Sequence, residues 1–250
     1  MNPDDILNPT VFYAGWEIRE PVTSSTDLLV AIVAGVALWR LSRLQQGATW
    51  PTLSLTRGYF FCLMAGMGIA AIFGHLLQAY VPWEMKMIGW IFSAFGTGMF
   101  EWSGLIQLRQ HISPARTRLF GTWILLHHGL FFLAMAIPET RNFDTVKVNS
   151  TLSLMCTALP IYAYLYHRTR EALSGWFVAA LLFGVFPGLT YNLQLSIDRW
   201  FNFHDVSHVL LATYVYLLYQ GAKRLTKPDL REAAQVAPSS RSVREAAGNG

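Results

Sequence analysis

Seven runs of apolar residues, at positions 26–44, 57–80, 84–108, 118–137, 149–167, 174–195 and 203–221, are each long enough to carry a helix through a bilayer. A hydrocarbon core about 30 Å thick asks for roughly 20 such residues, and backbone inside it has to satisfy its own hydrogen bonds. Continuous runs of this length exclude a barrel, whose strands alternate over about 10 residues. The sequence therefore predicts an all-α polytopic membrane protein, a seven-transmembrane-helix bundle over 26–221. Connections are short, so one compact bundle is expected. Only 14% of the residues are charged, where soluble domains carry about 25%.

The flanks and loops set the expected orientation. Residues 1–25 are polar and show no cleavable signal peptide, so they are expected to form an extracytoplasmic N-terminal segment. Residues 222–250 read as a cytoplasmic tail; from Thr226 onward they lack aromatic residues and are expected to be disordered. Of the 19 Lys and Arg residues, fourteen fall in loops 1–2, 3–4, 5–6 and the tail, and five in the N-terminal segment and the other loops. Cytoplasmic loops are the basic ones, which puts the N-terminus outside and the C-terminus inside. The net charge of +4 reflects this asymmetry and is no nucleic-acid signature. Cys62 and Cys156 fall within spans and read as small, reduced core residues.

Polar residues inside such spans are the candidates for function, because each is costly there. The last span opens "FNFHDVSHVLL", with His204 and His208 one helical turn apart on the same face. His75 lies five residues before the outward end of span 2, so it shares a layer with them. Three histidines with water in a fourth position make a catalytic kind of zinc site, for which His75, His204 and His208 are the expected ligands; the other reading of these residues is an interfacial, hydrogen-bonded polar collar. Asp205 is a candidate to orient an imidazole or act as a base, or it is simply an acid favoured at a helix N-terminus. Gly66, Ala70 and Gly74 recur every fourth residue ahead of His75, a face that lets another helix approach closely.

A second polar stripe runs down span 3 through Ser93, Thr97 and Glu101. His127 or His128 on span 4 is at a depth to partner Glu101. Adjacent histidines are expected on different faces, so the pair alone should not clamp one ligand. Asn192 and Gln194 are expected to donate interhelical hydrogen bonds, and Tyr80, Trp83, Trp200 and Phe203 to mark the interfacial belt. His111 and His167 lie at loop ends and need no special role.

Seven spans, a lone His near the outer end of span 2 and HxxxH opening span 7 resemble the alkaline ceramidase and adiponectin-receptor superfamily of membrane hydrolases, often called CREST. The entry to span 1, "EPVTSSTDLLV", also resembles that of alkaline ceramidases. The resemblance implies a zinc ion on His75, His204 and His208, and hydrolysis of a lipid amide or ester drawn from the bilayer. This chain departs from the family at two places: Ala71 stands where the family has a Ser, and Lys86 where it has an Asp. Glu84 is then the nearest acid, and Asp205, Glu84 and Ser207 are the candidate catalytic residues. A non-catalytic seven-helix receptor or sensor, which Ala71 and Lys86 favour, and a His-ligated iron or haem redox protein recruiting His127 and His128 are the alternatives. Retinal photochemistry is excluded because span 7 has no mid-membrane Lys.

Overall fold

The computed structural model describes residues 9–44 and 50–225. The tail from Thr226 onward, expected to be disordered, lies outside the described residues. A short antiparallel hairpin comes first, β1 (Thr10–Tyr13) and β2 (Trp16–Arg19), closed through Gly15 at φ +82°. Helices follow: α1 (Pro21–Ser42), α2 (Trp50–Ile69), α3 (Met85–Leu108), α4 (Pro114–Ala136), α5 (Phe143–Thr151), α6 (Leu159–Thr169), α7 (Ala172–Phe183), α8 (Val185–Asn192) and α9 (Phe203–Ala222). A π-helical turn, Ala70–Leu76, prolongs α2, and a second one, Leu152–Ala158, joins α5 to α6. The fold is all-α apart from the hairpin, and its helices line up as seven rods among the described residues.

Helix boundaries follow local chemistry. Pro21 and Pro114 sit in the first turns of α1 and α4, where a missing N–H costs nothing. Ser113 caps α4 by accepting from Arg116 N, and Asn142 caps α5 by accepting from Thr145 N. Pro160 and Pro187 cannot donate to the helix ladder, and the two interrupted rods break just ahead of them, at the second π turn and at Gly184. At the other end of α1, Arg57 reaches back to the carbonyl of Leu41 at 3.0 Å, satisfying a helix terminus.

The interior holds Phe60, Phe100, Tyr162, Phe177, Tyr214 and Leu218, all essentially inaccessible. The close approach expected of the small-residue face is present: a side chain at Gly66 would meet the Gly89 carbonyl of α3 at 3.0 Å. The outside is apolar as well. Leu119, Leu125, Leu126, Leu130 and Leu133 stand exposed along α4, and Leu182, Phe186 and Leu189 along α7 and α8. Soluble monomers rarely expose contiguous apolar surface on this scale. Four rods are long and apolar enough to cross a membrane: Pro21–Ser42, Pro51–Leu76, Pro114–Ala136 and Ala172–Asn192. The chain thus has the character of a multi-pass membrane protein.

Several expectations are corrected. The first helix starts at Pro21, not at residue 26, so Thr23 and Ser24 are helical as well as Thr26 and Asp27, and all four are buried. Cys156 is exposed, and only Cys62 is a core residue. Asn192 and Gln194 point outward; Gln194 lies past the end of α8 at φ 52° and joins no helix pair. Phe203 is buried against Tyr191 rather than belted at an interface.

Candidate functional sites: two carboxylate–histidine centres

The first centre gathers at one end of the bundle, where α1, the π turn after α2 and the start of α9 meet. His75 is carried by the π turn, in which the Leu77 N–H reaches the Ile72 carbonyl five residues back at 2.8 Å. Such turns are common at functional sites because they re-aim a side chain. His75 Nδ1 is hydrogen-bonded to the Glu20 carboxylate. Its other nitrogen, Nε2, lies 3.4 Å from Asp27 Oδ2. His208 Nδ1 lies 3.1 Å from Asp27 Oδ1 and 3.2 Å from the Thr26 hydroxyl. His204 completes the group, its ring centroid 6.4 Å from those of both His75 and His208. Phe203 and Tyr191 pack on the His204 ring at 4.3 and 5.2 Å.

Asp27 is the unusual member. It is 1% exposed, and neither carboxylate oxygen has a hydrogen-bond partner, although two imidazole nitrogens stand beside it. Glu20 explains how the nitrogens are arranged. An ionised carboxylate only accepts, so His75 donates to Glu20 from Nδ1, and in the neutral imidazole Nε2 then presents a lone pair toward Asp27. A proton or a metal cation between Nε2 and the Asp27 carboxylate satisfies both. Glu20 stands just ahead of α1. Burial would raise its carboxyl, but the His75 hydrogen bond and the charge of Lys86 hold it below the ordinary glutamate value.

The candidate catalytic residues fall differently. Asp205 is wholly buried, but its Oδ2 accepts from the Asn202 N–H at 2.8 Å and its Oδ1 from the Thr26 hydroxyl at 3.2 Å. It closes a capping box on α9. Ser207 donates to the Pro187 carbonyl at 3.0 Å, tying α9 to α8. Glu84 is exposed at the N-terminus of α3. Sequence reasoning passed over Asp27 and Thr26, and read Glu20 only as part of the N-terminal segment. Their signal is the acid pair spaced along "EPVTSSTD", split because a first helix starting at residue 26 holds Asp27 but leaves Glu20 outside.

The second centre lies midway along α3 and α4. Glu101 Oε1 is 3.0 Å from His127 Nε2, and Oε2 is 2.7 Å from His128 Nε2. Both adjacent histidines therefore grip one carboxylate, with ring centroids 4.2 Å apart. The depth match with Glu101 holds for both histidines rather than for one of them, and the carboxylate from α3 closes a clamp that the pair does not form alone. Consecutive residues differ by about 100° around the axis, and long side chains swing that gap shut when a partner stands between them. Among the described residues, Glu101, His127 and His128 form the one group of three whose ligand atoms all lie within 4.8 Å of one another, and they could hold a metal ion.

Fold and sites together define an all-α, membrane-type bundle with two buried carboxylate–histidine centres. The chain belongs to DUF6962, a family of unknown function, whose model matches residues 22–227. No curated protein and no solved structure matches it.

Proposed function

We propose that this protein is a seven-span, zinc-dependent membrane hydrolase that cleaves a lipid amide or ester at the centre formed by Asp27, His75, His204 and His208. The observation that carries the reading is the Asp27 carboxylate, buried without a hydrogen bond between His75 Nε2 and His208 Nδ1. A buried acceptor of this kind is expensive unless a cation neutralises it. Glu20 behind His75 is the outer partner that metal-binding imidazoles usually have. The ring centroid of His204 lies 6.4 Å from those of His75 and His208, so the three imidazoles would draw together on binding an ion. A zinc ion supplies Lewis-acid polarisation of a carbonyl and water reactive near neutral pH.

The residues absent at the family positions have counterparts on α1. Ala71 brings no hydroxyl, but Ser24 Oγ donates to the Ala71 carbonyl at 2.8 Å, so a hydroxyl stands beside that position. Lys86 brings no carboxylate, but Asp27 stands beside His75 and His208, and on this reading it would orient the attacking water and accept its proton. The hairpin supports a covering role for the N-terminal segment. Trp16 meets Tyr80 edge-on at 5.2 Å, and the Glu17 N–H donates to the Tyr80 hydroxyl at 2.7 Å. With the basic loops inside, this centre opens into the outer leaflet, where a lipid can enter sideways.

Asp27→Asn tests the reading. Purified wild type should carry zinc at this centre and hydrolyse a ceramide-type lipid, while Asp27→Asn and His204→Ala should lose both metal and turnover. Turnover that survives in Asp27→Asn would refute the proposed role. A non-catalytic receptor is the competing reading, and Ala71 favours it: zinc would be bound and removed by the same variants, with no lipid turned over by the wild type.

A further inference from the structure

We infer that Glu101, His127 and His128 form a second, separate metal site that binds a first-row divalent transition ion between α3 and α4. The inference does not rest on the hydrolase reading. It stands on three observations at the second centre.

The donor set comes first. Two imidazoles and one carboxylate converge from two helices, and their side chains are 1%, 12% and 0% exposed for His127, His128 and Glu101. Two histidines with one carboxylate, leaving further positions open, is a set suited to iron(II) or zinc and poorly suited to calcium or magnesium, which take oxygen ligands.

The tautomer comes second. His127 Nδ1 faces the Asn149 side-chain oxygen at 3.4 Å. Nε2 lies 3.0 Å from Glu101 Oε1. When Nδ1 donates to Asn149, Nε2 keeps its lone pair, and a cation between it and the Glu101 carboxylate satisfies both, as a shared proton does when the site holds no metal. Asn149 is therefore an outer partner of the kind that fixes a metal-binding imidazole.

Third, the backbone is adapted at this place. The π turn Leu152–Ala158 brings the Ser153 hydroxyl to 3.5 Å from His128 Nε2. It also sets Thr157 to accept from the Trp123 indole at 2.9 Å, and Trp123 packs on His127 at 5.5 Å. The α5–α6 rod thus supports a site whose ligands come from α3 and α4. Bound there, the ion joins these rods in the interior.

Cobalt(II) is the probe, because its visible absorption reports nitrogen and oxygen ligation directly. Full-length protein in detergent, stripped by chelator, is titrated with Co2+ in the His204→Ala, His208→Ala background, which removes the other centre. One equivalent of Co2+ with a ligand-field spectrum is expected, lost in Glu101→Gln and in His128→Gln. Should those variants fail to fold, Asn149→Ala keeps all three ligands and should weaken Co2+ binding roughly tenfold or more. No Co2+ bound in the folded background variant would overturn the inference and leave a carboxylate sharing protons with two imidazoles. Unchanged affinity in Asn149→Ala or Glu101→Gln would overturn it too. If Co2+ is bound and lost with Glu101 while His204→Ala, His208→Ala changes nothing in the wild-type stoichiometry, this site stands and the zinc assignment at the other centre falls.

Discussion

Asp205 shows how a residue with a catalytic look can be structural. Its two oxygens are both committed, one to the Asn202 backbone and one to Thr26, and it is wholly buried. Its replacement leaves the N-cap Asn202 N–H without its acceptor, while the Thr26 hydroxyl keeps the Thr23 carbonyl at 3.0 Å. Asp205→Ala should therefore lower stability by about 2 kcal/mol, as losses of a cap and of a buried acceptor do. Thermal unfolding in detergent measures this, and zinc content at the His204 centre should persist in the folded fraction. Lost turnover with an unchanged melting temperature would instead mark Asp205 as a base. Asp27 is the opposite case, since it has imidazoles beside it and no hydrogen bond. The contrast between the two carboxylates lies in what each accepts, not in how deeply each is buried.

At the scale of the element, both centres depend on a π turn. Ala70–Leu76 aims His75 at Glu20 and Asp27, and Leu152–Ala158 brings Ser153 and Thr157 to the Glu101 centre. A π turn carries one residue more than the α-helix it interrupts. Deleting Ile72 should therefore restore a regular helix and swing His75 by about 100° around its axis. The expected outcome is loss of metal from the His204 centre with Co2+ binding at Glu101 intact, read by the same titration. Metal retained at both centres would show that the turn does not aim His75. The small-residue contact between Gly66 and Gly89 holds this part of α2 against α3, so the turn is anchored on its α2 side.

For the whole molecule, the decisive pattern is that apolar side chains face both inward and outward. The five exposed leucines on α4 have no packing role inside the bundle, and a lipid surround accounts for them. Orientation is then open to test by labelling. Ser196, in the exposed loop before α9, and Gln110, exposed after α3, lie at opposite ends of their rods. With Cys62 and Cys156 replaced, Ser196→Cys should react with an impermeant maleimide on intact cells and Gln110→Cys should not. The reverse pattern would invert the orientation and move the His204 centre to the cytoplasmic face.

Long apolar runs determine helices without reference to anything else in the chain, because backbone in hydrocarbon has no other way to satisfy itself. The all-α class and the approximate ends of the rods were legible for that reason, as was the depth match between Glu101 and the 127–128 pair. The grouping of residues was not legible. That Glu20 and Asp27 stand at His75 and His208 depends on α1 starting at Pro21 and on a π turn, neither of which periodicity records. That His127 and His128 share one carboxylate depends on α3 lying between their two faces. Periodicity specifies which face of a helix a residue is on; only packing decides what that face meets, and a site is made of what meets.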